Sequence, residues 1–353
     1  MFLHGLGTAH PEHRFTKQQC WDAFEQSVWF GKLDRRARAI AQAVLTRDNG
    51  IESRHLAVDT LAESFQIDPD TLHARFLAHA PTLGTLAAER ALAEAMLDAT
   101  QIDAVIISTC TGYLCPGLTS YLIERLGLRP DVQAYDLVGQ GCGAALPNWR
   151  LGEALLQSGS CRHVLSVCVE VSSAAMYLDN DPGVLISACL FGDGAGAAVL
   201  SSEPPPAHRR RIEWKAAGSL TNPAERAALC FEQRGGMLRN ILTRPVPKLA
   251  ADHAERVLHA TLADVGIAKS DIDVWIWHAG GRDVLQALQA KLGLREGDLA
   301  YSAAMLREYG NLSSAFVYFV LQAALADNAP SGRWWMSAFG AGFSCHGALL
   351  EVA

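Results

Sequence analysis

The chain has 353 residues, half of them apolar and 19 % charged, with a formal net charge of −7. This length allows a large buried core and two domains or two fused halves. The negative balance argues against nucleic acid as the main partner, and no apolar run reaches the ~20 residues that a membrane span requires.

The start, Met1-Phe2-Leu3-His4-Gly5-Leu6-Gly7, lacks the basic leader and long apolar stretch of a signal peptide, so a cytoplasmic protein is expected. Nine cysteines without a CxxC pair indicate neither a disulfide framework nor a zinc site, and no metal is expected. A helical pattern over Leu86 to Ala99 leads into the apolar run Ile102 to Ser108, an αβ unit with a buried strand. Gly141-Cys142-Gly143 then opens a second helical pattern, Ala144 to Leu156. That places a thiol at a helix start, where unpaired backbone N–H groups and the helix dipole favour a thiolate. Cys189 to Leu200 reads as a glycine turn feeding a strand.

Ser201 to Arg211 is rich in proline and charge and reads as a linker. Its basic run, His208 to Arg211, reads as a solvated loop. The halves are therefore expected at 1–202 and 203–353. A helix over Ala251 to Val265 follows. Its His253 and His259 are six apart and face different ways, which disfavours a metal site. Ile272 to His278 resembles Ile102 to Ser108 at an offset of 170 positions. Gly310-Asn311-Leu312 opens the pattern Ser313 to Leu325, 169 positions after the turn of Cys142. Ser337 to Phe343, leading to Ala348 to Val352, echoes the earlier glycine turn and strand. These echoes are too long for a solenoid period. They predict a duplicated α/β plan packed about a pseudo-twofold axis, with matching strand ends and helix starts converging on the seam.

Cys142, His278 and Asn311 fall at those convergent positions. A cysteine nucleophile works near neutral pH when a histidinium and a helix N-terminus lower its pKa. His278 can donate a ring N–H and Asn311 a side-chain N–H, which makes an oxyanion hole for an enolate or a tetrahedral intermediate. Gly280 and Gly281 let backbone or substrate approach closely. Singly, each has a plainer explanation: a small packing thiol, a core histidine, a helix N-cap. The shared offset and matching contexts argue against three separate coincidences.

The motifs Gly141-Cys142-Gly143, Leu190-Phe191-Gly192-Asp193-Gly194, His278-Ala279-Gly280-Gly281 and Tyr309-Gly310-Asn311-Leu312-Ser313-Ser314 resemble those of the type III polyketide synthases, the chalcone synthase-like branch of the thiolase superfamily. The resemblance runs from Gly50 to Phe343. It implies a five-layered αβαβα sandwich, a homodimer, and acyl-CoA and malonyl-CoA thioesters as substrates without a further cofactor. It implies that Cys142 takes the starter acyl group, that His278 and Asn311 drive malonyl decarboxylation, and that iterative condensation ends in a pyrone or phenolic ring. Phe191 would be a gatekeeper between a CoA tunnel and the cavity. Cys110, Thr111, Tyr113, Cys115, Ser172, Ala175 and Ala341 match cavity-lining positions, and Glu170 matches a buried acid that orders the cavity. Ala175 stands where plant enzymes carry threonine, and Ala341 where they carry proline. Cys110 is similar to a pocket cysteine of bacterial naphthalene-type enzymes. A second gatekeeper would fall within Met237 to Pro247. Arg47 and Arg54 would meet the CoA phosphates, with Arg36 and Arg38 as weaker candidates.

Three rival readings fit these residues less well. An initiating β-ketoacyl synthase dependent on an acyl-carrier protein shares the Cys-His-Asn set, but carries His-Gln-Ala-Asn and Asn-Thr-Ser where this chain has His278-Ala279-Gly280-Gly281 and Asn311-Leu312-Ser313. A dinucleotide-binding oxidoreductase would need G-x-G-x-x-G spacing, which Gly139 to Gly143 lacks. A non-catalytic thiolase-fold subunit typically loses the nucleophile.

Overall fold

The computed structural model describes residues 1–353. β1 (Phe2–Ala9) enters the sheet directly. β2 (Arg14–Thr16) leads into α1 (Lys17–Gln26), which Thr16 and Gln19 close with a reciprocal capping box. α2 (Val28–Lys32) and α3 (Arg35–Thr46, capped by Asp34) follow, and β3 (Ser53–His55) pairs antiparallel with β2. α4 (Pro69–Ala95) begins at Asp68, whose carboxylate accepts from Thr71 N–H, with proline at the first helical position. It starts well before the expected Leu86, because Pro81 inside it interrupts the helical signal. It ends at Met96, in a left-handed conformation.

Next come β4 (Ala104–Ser108), α5 (Leu118–Leu126), β5 (Gln133–Leu137), α6 (Ala145–Gln157), β6 (His163–Glu170), α7 (Pro182–Leu190) and β7 (Gly194–Ser201). β8 (Ile212–Thr221) opens the remainder. A ribbon of β9 (Leu229–Arg234) and β10 (Met237–Leu242) precedes α8 (Val246–Asp264), β11 (Val274–Trp277), α9 (Arg282–Leu292), α10 (Ala300–Tyr309), α11 (Phe316–Ala326), β12 (Gly332–Gly340) and β13 (Ser344–Val352). On α8, His253 is buried against Glu225 at 2.7 Å, and His259 is exposed.

Nine strands form one continuous sheet in the order β11-β12-β13-β8-β1-β7-β6-β4-β5. The junction is short: Phe2 pairs with Glu213 and Leu3 with Ile212. Outward from it, β1-β7-β6-β4 and β8-β13-β12-β11 repeat one pattern of two antiparallel pairs and one parallel pair. The first series adds β5 at its edge; the second ends at β11.

The layering follows from which faces are apolar. α4 packs on the outer face of β1, β6 and β7, and α8 on that of β8, β12 and β13. Close approach of α4 needs the glycines of β1: a Cβ on Gly5 would lie 2.0 Å from Ala91 O, and one on Gly7 2.1 Å from Ala87 O. α6 and α11 lie between the two series of strands and touch both. α11 is apolar nearly all round, and Phe316 to Leu321, its first six residues, are buried, as the start of a helix enclosed between two sheets must be. Its Tyr318 hydroxyl accepts from Trp149 Nε1 of α6 at 3.0 Å, which satisfies two polar groups in the driest layer. The succession helix, sheet, helix, sheet, helix is the expected five-layered sandwich. The N-terminal helices form a separate apolar cluster with α7.

Candidate active site

Three chain crossings meet at the seam. A tight 3-10 turn, Gly141–Gly143, carries Cys142 just ahead of α6. Gly141 has φ +56, and a Cβ there would meet Ala341 N at 2.9 Å, so only glycine suits the turn. His278 extends β11 by one ladder bond, donating its N–H to Ser337 O at 2.9 Å. Asn311 is held by its backbone: its N–H donates to Leu190 O at 2.9 Å, and its carbonyl accepts from Gly192 N at 3.0 Å. That bridge ties Phe191, at the end of α7, to the asparagine. All three expected catalytic residues are buried.

The ring of His278 is wedged edge-on against Phe316 and Phe339, with centroids 5.6 and 5.3 Å away. Its Nε2 lies 3.2 Å from Asn311 Oδ1, and its Nδ1 has no protein partner. Asn311 Oδ1 also accepts from Ser313 N–H at 2.8 Å, and Nδ2 donates to Gly280 O at 3.3 Å. This orientation of the amide places the proton on His278 Nε2 and leaves one N–H of Asn311 free. The two expected oxyanion donors are thus partly spent on each other and on the backbone.

Cys142 is surrounded by donors. Ser313 Oγ donates to its Sγ at 3.1 Å. A hydrogen bond from Cys110 is the largest influence holding the Cys142 thiol well below the ordinary thiol range, against the opposing effect of burial; His278 and Ser313 add to it. Cys110 is pushed well above that range, first by the same bond, then by burial and the Glu170 charge. In this pair the thiolate belongs to Cys142.

Glu170, fully buried at the end of β6, anchors the other side. It accepts from Cys110 N–H at 3.0 Å, Thr111 Oγ1 at 3.0 Å, Ser313 Oγ at 3.2 Å and the Ser314 hydroxyl. Burial pushes its pKa up, while these donors pull it back. Ser313 and Ser314 belong to the Asn311 motif, but the sequence assigns them no role, because there they read as the first turn of a helix. The structure instead puts Ser313 at φ +51, a conformation uncommon for serine, with its hydroxyl turned to the nucleophile.

Two cavities flank this centre. One, of about 520 Å³, is lined by Cys110, Thr111, Tyr113, Phe231, Met237 and Ala341 among others. The other, of about 30 Å³, touches Ser172, Ala175, Phe191, Phe231, Asn240 and Ser313. The expected lining residues are therefore shared between them, with three corrections. Cys115 is exposed and lines neither cavity. Gly280 and Gly281 line neither; Gly280 serves Asn311 through its carbonyl. Arg54 is buried, and its guanidinium donates to Ala188 O at 2.9 Å and Phe191 O at 3.0 Å, so it braces α7 and is closed to a phosphate. Arg47 is exposed at the end of α3. Arg38 is turned back onto Leu33 O and Gly31 O, and Arg36 is exposed. The segment expected to hold a second gatekeeper contributes Asn240 to the narrow cavity, and the aromatic shared by both cavities is Phe231 on β9.

No helix is long and apolar enough to cross a membrane. The family model described as FAE1/type III polyketide synthase-like protein matches residues 9–228, and that of the chalcone and stilbene synthase C-terminal domain matches residues 224–351. The second match spans the His278 and Asn311 motifs, where the carrier-protein-dependent rival differs. Among solved structures, PKS-I from the brown alga Ectocarpus siliculosus is similar with a TM-score of 0.90 and 25 % identity, over 99 % of this chain and 98 % of that one. The 1,3,6,8-tetrahydroxynaphthalene synthase of Streptomyces coelicolor A3(2) shares the fold with a TM-score of 0.88 at 23 % identity, over 99 % of both chains. With a family model covering more than half its length and the Cys-His-Asn centre at its seam, this chain belongs to the type III polyketide synthases.

Proposed function

We propose that this synthase loads an acyl group from a CoA thioester onto Cys142, extends it by repeated decarboxylative condensation with malonyl-CoA, and cyclises the chain to a pyrone or phenolic product. The observation that carries this reading is the buried Cys142 thiol at the seam, with Ser313 Oγ donating to its Sγ at 3.1 Å and the hydrogen-bonded His278 and Asn311 side chains of the same centre. A thiolate there attacks the acyl-CoA carbonyl, and the C–S bond to CoA breaks. When malonyl-CoA enters, its bond to the carboxylate breaks, CO₂ leaves, and the electron pair becomes an enolate. His278 Nε2–H exchanges Asn311 Oδ1 for the enolate oxygen, and the free N–H of Asn311 supplies a second donor. The enolate carbon attacks the acyl carbonyl and returns the electron pair to Cys142. The lengthened chain, now on CoA, can reload the cysteine. The 520 Å³ cavity beside Cys110 is the space in which it would fold.

Phe191 and Phe231 flank the narrow cavity and suit the role of gatekeepers. Arg47 is the remaining candidate for the CoA phosphates. The chemistry asks only for CoA thioesters. Tyr113 and Val138 are exposed at 71 % and 67 %, and both line the large cavity. That apolar rim supports a homodimer in which the second copy closes the cavity mouth. The repeated strand order supports duplicated halves at 1–202 and 203–353.

Incubation with malonyl-CoA and a panel of aliphatic and aromatic acyl-CoAs, followed by mass spectrometry, tests the reading. An acyl adduct on the wild type that vanishes in Cys142→Ala is expected. An undiminished adduct in that variant would overturn the nucleophile assignment.

A further inference from the structure

A buried cation that the reaction above does not use sits behind the crossing that carries Asn311. Arg54, the middle residue of β3, is 6 % exposed. Its Nη1 donates to Ala188 O at 2.9 Å and Phe191 O at 3.0 Å, and Cys20 lies beside the guanidinium. Asp193, the buried acid of the same junction, is taken up by Ala57 N–H at 2.7 Å and by the N–H and hydroxyl of Ser173 at 2.9 and 2.6 Å. The guanidinium charge therefore rests on backbone carbonyls.

Those carbonyls lie at the C-terminal end of α7, where the last C=O groups of a helix lack intrahelical partners and a cation suits the helix dipole. Here the partners are specific. Ser187 O accepts from Phe191 N–H at 3.4 Å, Ala188 O from Arg54, and Leu190 O from Asn311 N–H at 2.9 Å. Gly192 N–H then donates to Asn311 O at 3.0 Å. Arg54 grips Ala188 and Phe191 while Asn311 grips Leu190 and Gly192, so the two alternate along one short segment.

The arginine also packs directly against the asparagine turn. A Cβ on Gly310 would lie 2.7 Å from Leu190 O and 3.0 Å from Arg54 Cγ, so the stem of Arg54 lies on the backbone next to Asn311. β3 is pinned on both flanks of this contact. Ser53 Oγ donates to Glu308 O at 2.7 Å, just before the turn, and His55 O accepts from Asp193 N–H at 2.8 Å, just after α7. Desolvating a guanidinium is costly, and an apolar side chain would serve for packing alone. What the guanidinium adds is donors held in one plane, which fix the spacing of the two carbonyls.

We infer that Arg54 is a positioning residue for decarboxylation: by fixing the end of α7 it fixes the backbone of Asn311, and with it the direction of the free Asn311 N–H toward the enolate oxygen. This rests on the malonyl-CoA reading above and deepens it. Cys142 sits on the separate turn ahead of α6, and Ser313 is anchored through Glu170 at 3.2 Å, so the nucleophile is held independently of Arg54. Arg54 therefore acts on the decarboxylation step and leaves the reactivity of the thiol alone.

The test uses Arg54→Met, which keeps the stem and removes the donors, and Arg54→Lys, which keeps the charge and one donor group. CO₂ release from malonyl-CoA is measured beside alkylation of the Cys142 peptide by iodoacetamide. Arg54→Met should lower the kcat of CO₂ release by about 10–100-fold, the scale of loss for a misplaced oxyanion donor, with alkylation little changed. Arg54→Lys should recover part of that loss. In an Asn311→Ala background, Arg54→Met should cost nothing further, because the group it positions is gone. Equal falls in both readouts overturn the proposal, as does CO₂ release at the wild-type rate. So does a double variant in which the two losses multiply. If Arg54→Met does not fold, Arg54→Lys carries the same comparisons with a smaller loss. If the wild type releases no CO₂ from malonyl-CoA, the synthase reading falls as well; if it does and the losses multiply, only this inference falls.

Discussion

The Ser313 hydroxyl lies 3.1 Å from Cys142 Sγ and 3.2 Å from Glu170 Oε1, so one proton is shared between the nucleophile and the buried carboxylate. When the cysteine is a thiolate, the serine can turn its proton to sulfur. When the thiolate is acylated, Glu170 can take it back. The backbone N–H of the same residue holds the Asn311 amide at 2.8 Å. Removing the hydroxyl should therefore raise the Cys142 pKa without releasing Asn311. Ser313→Gly is the suitable variant, because φ +51 costs glycine nothing. Alkylation by iodoacetamide near neutral pH should slow about tenfold, and the rate–pH profile should move to higher pH. An unmoved profile would contradict the role of the hydroxyl.

Asn311→Ala should impair decarboxylation far more than loading. Losing one oxyanion donor typically costs about 10²–10³ in rate. Release of CO₂ from malonyl-CoA and the acyl adduct mass, measured side by side, separate the two steps. Failure of loading with decarboxylation intact would reverse the assignment.

Phe191→Ala should change chain length or starter preference. Phe191 lines the narrow cavity, and its backbone is bridged to Asn311, so the truncation widens the neck while the backbone frame stays. Product profiles by mass spectrometry across the acyl-CoA panel provide the check; an identical profile would exclude the gatekeeper role.

Glu170→Gln should destabilise the protein. The carboxylate accepts from a backbone N–H and several hydroxyls at zero exposure, and an amide group would turn donors toward donors. About 1–3 kcal/mol is at stake, read as a fall of several degrees in Tm.

His346 gives the fold a dependence on pH. Burial, with a smaller effect from Arg150, lowers its pKa from 6.5 to about 4. The native state therefore resists a proton that the unfolded chain accepts. Stability is complete above about pH 6.5 and is lost progressively as pH falls toward 4, by up to about 3 kcal/mol. Denaturant titrations between pH 7 and 4.5 should show this slope. His346→Gln should flatten it; an equally steep slope in that variant would assign the effect to other groups.

Some of this was legible in residue order alone. Cys142, His278 and Asn311 stood out because a strand end and two helix starts recur at nearly one offset, and the strand order repeats in the same sense. Glycine at 141 marked its turn because backbone conformation is a local property. Ser313 was not legible, since nothing local distinguishes a serine that starts a helix from one turned toward a thiol 171 positions away. Arg54, which the resemblance offers to the CoA phosphates, is instead sealed against the carbonyls of Ala188 and Phe191. The start of α4 was hidden by Pro81, although Asp68 and Pro69 mark it.

The sequence by itself determined the repeated strand-and-helix plan and the chemistry on offer: apolar runs, glycine punctuation, and a Cys-His-Asn set at matching positions. Only the tertiary structure decided which donors face the thiol and which cation is buried. The physical reason is that periodicity and turn chemistry act over a few residues. Burial, hydrogen-bond partners and pKa shifts depend on segments that meet only when both series of strands close around α6 and α11.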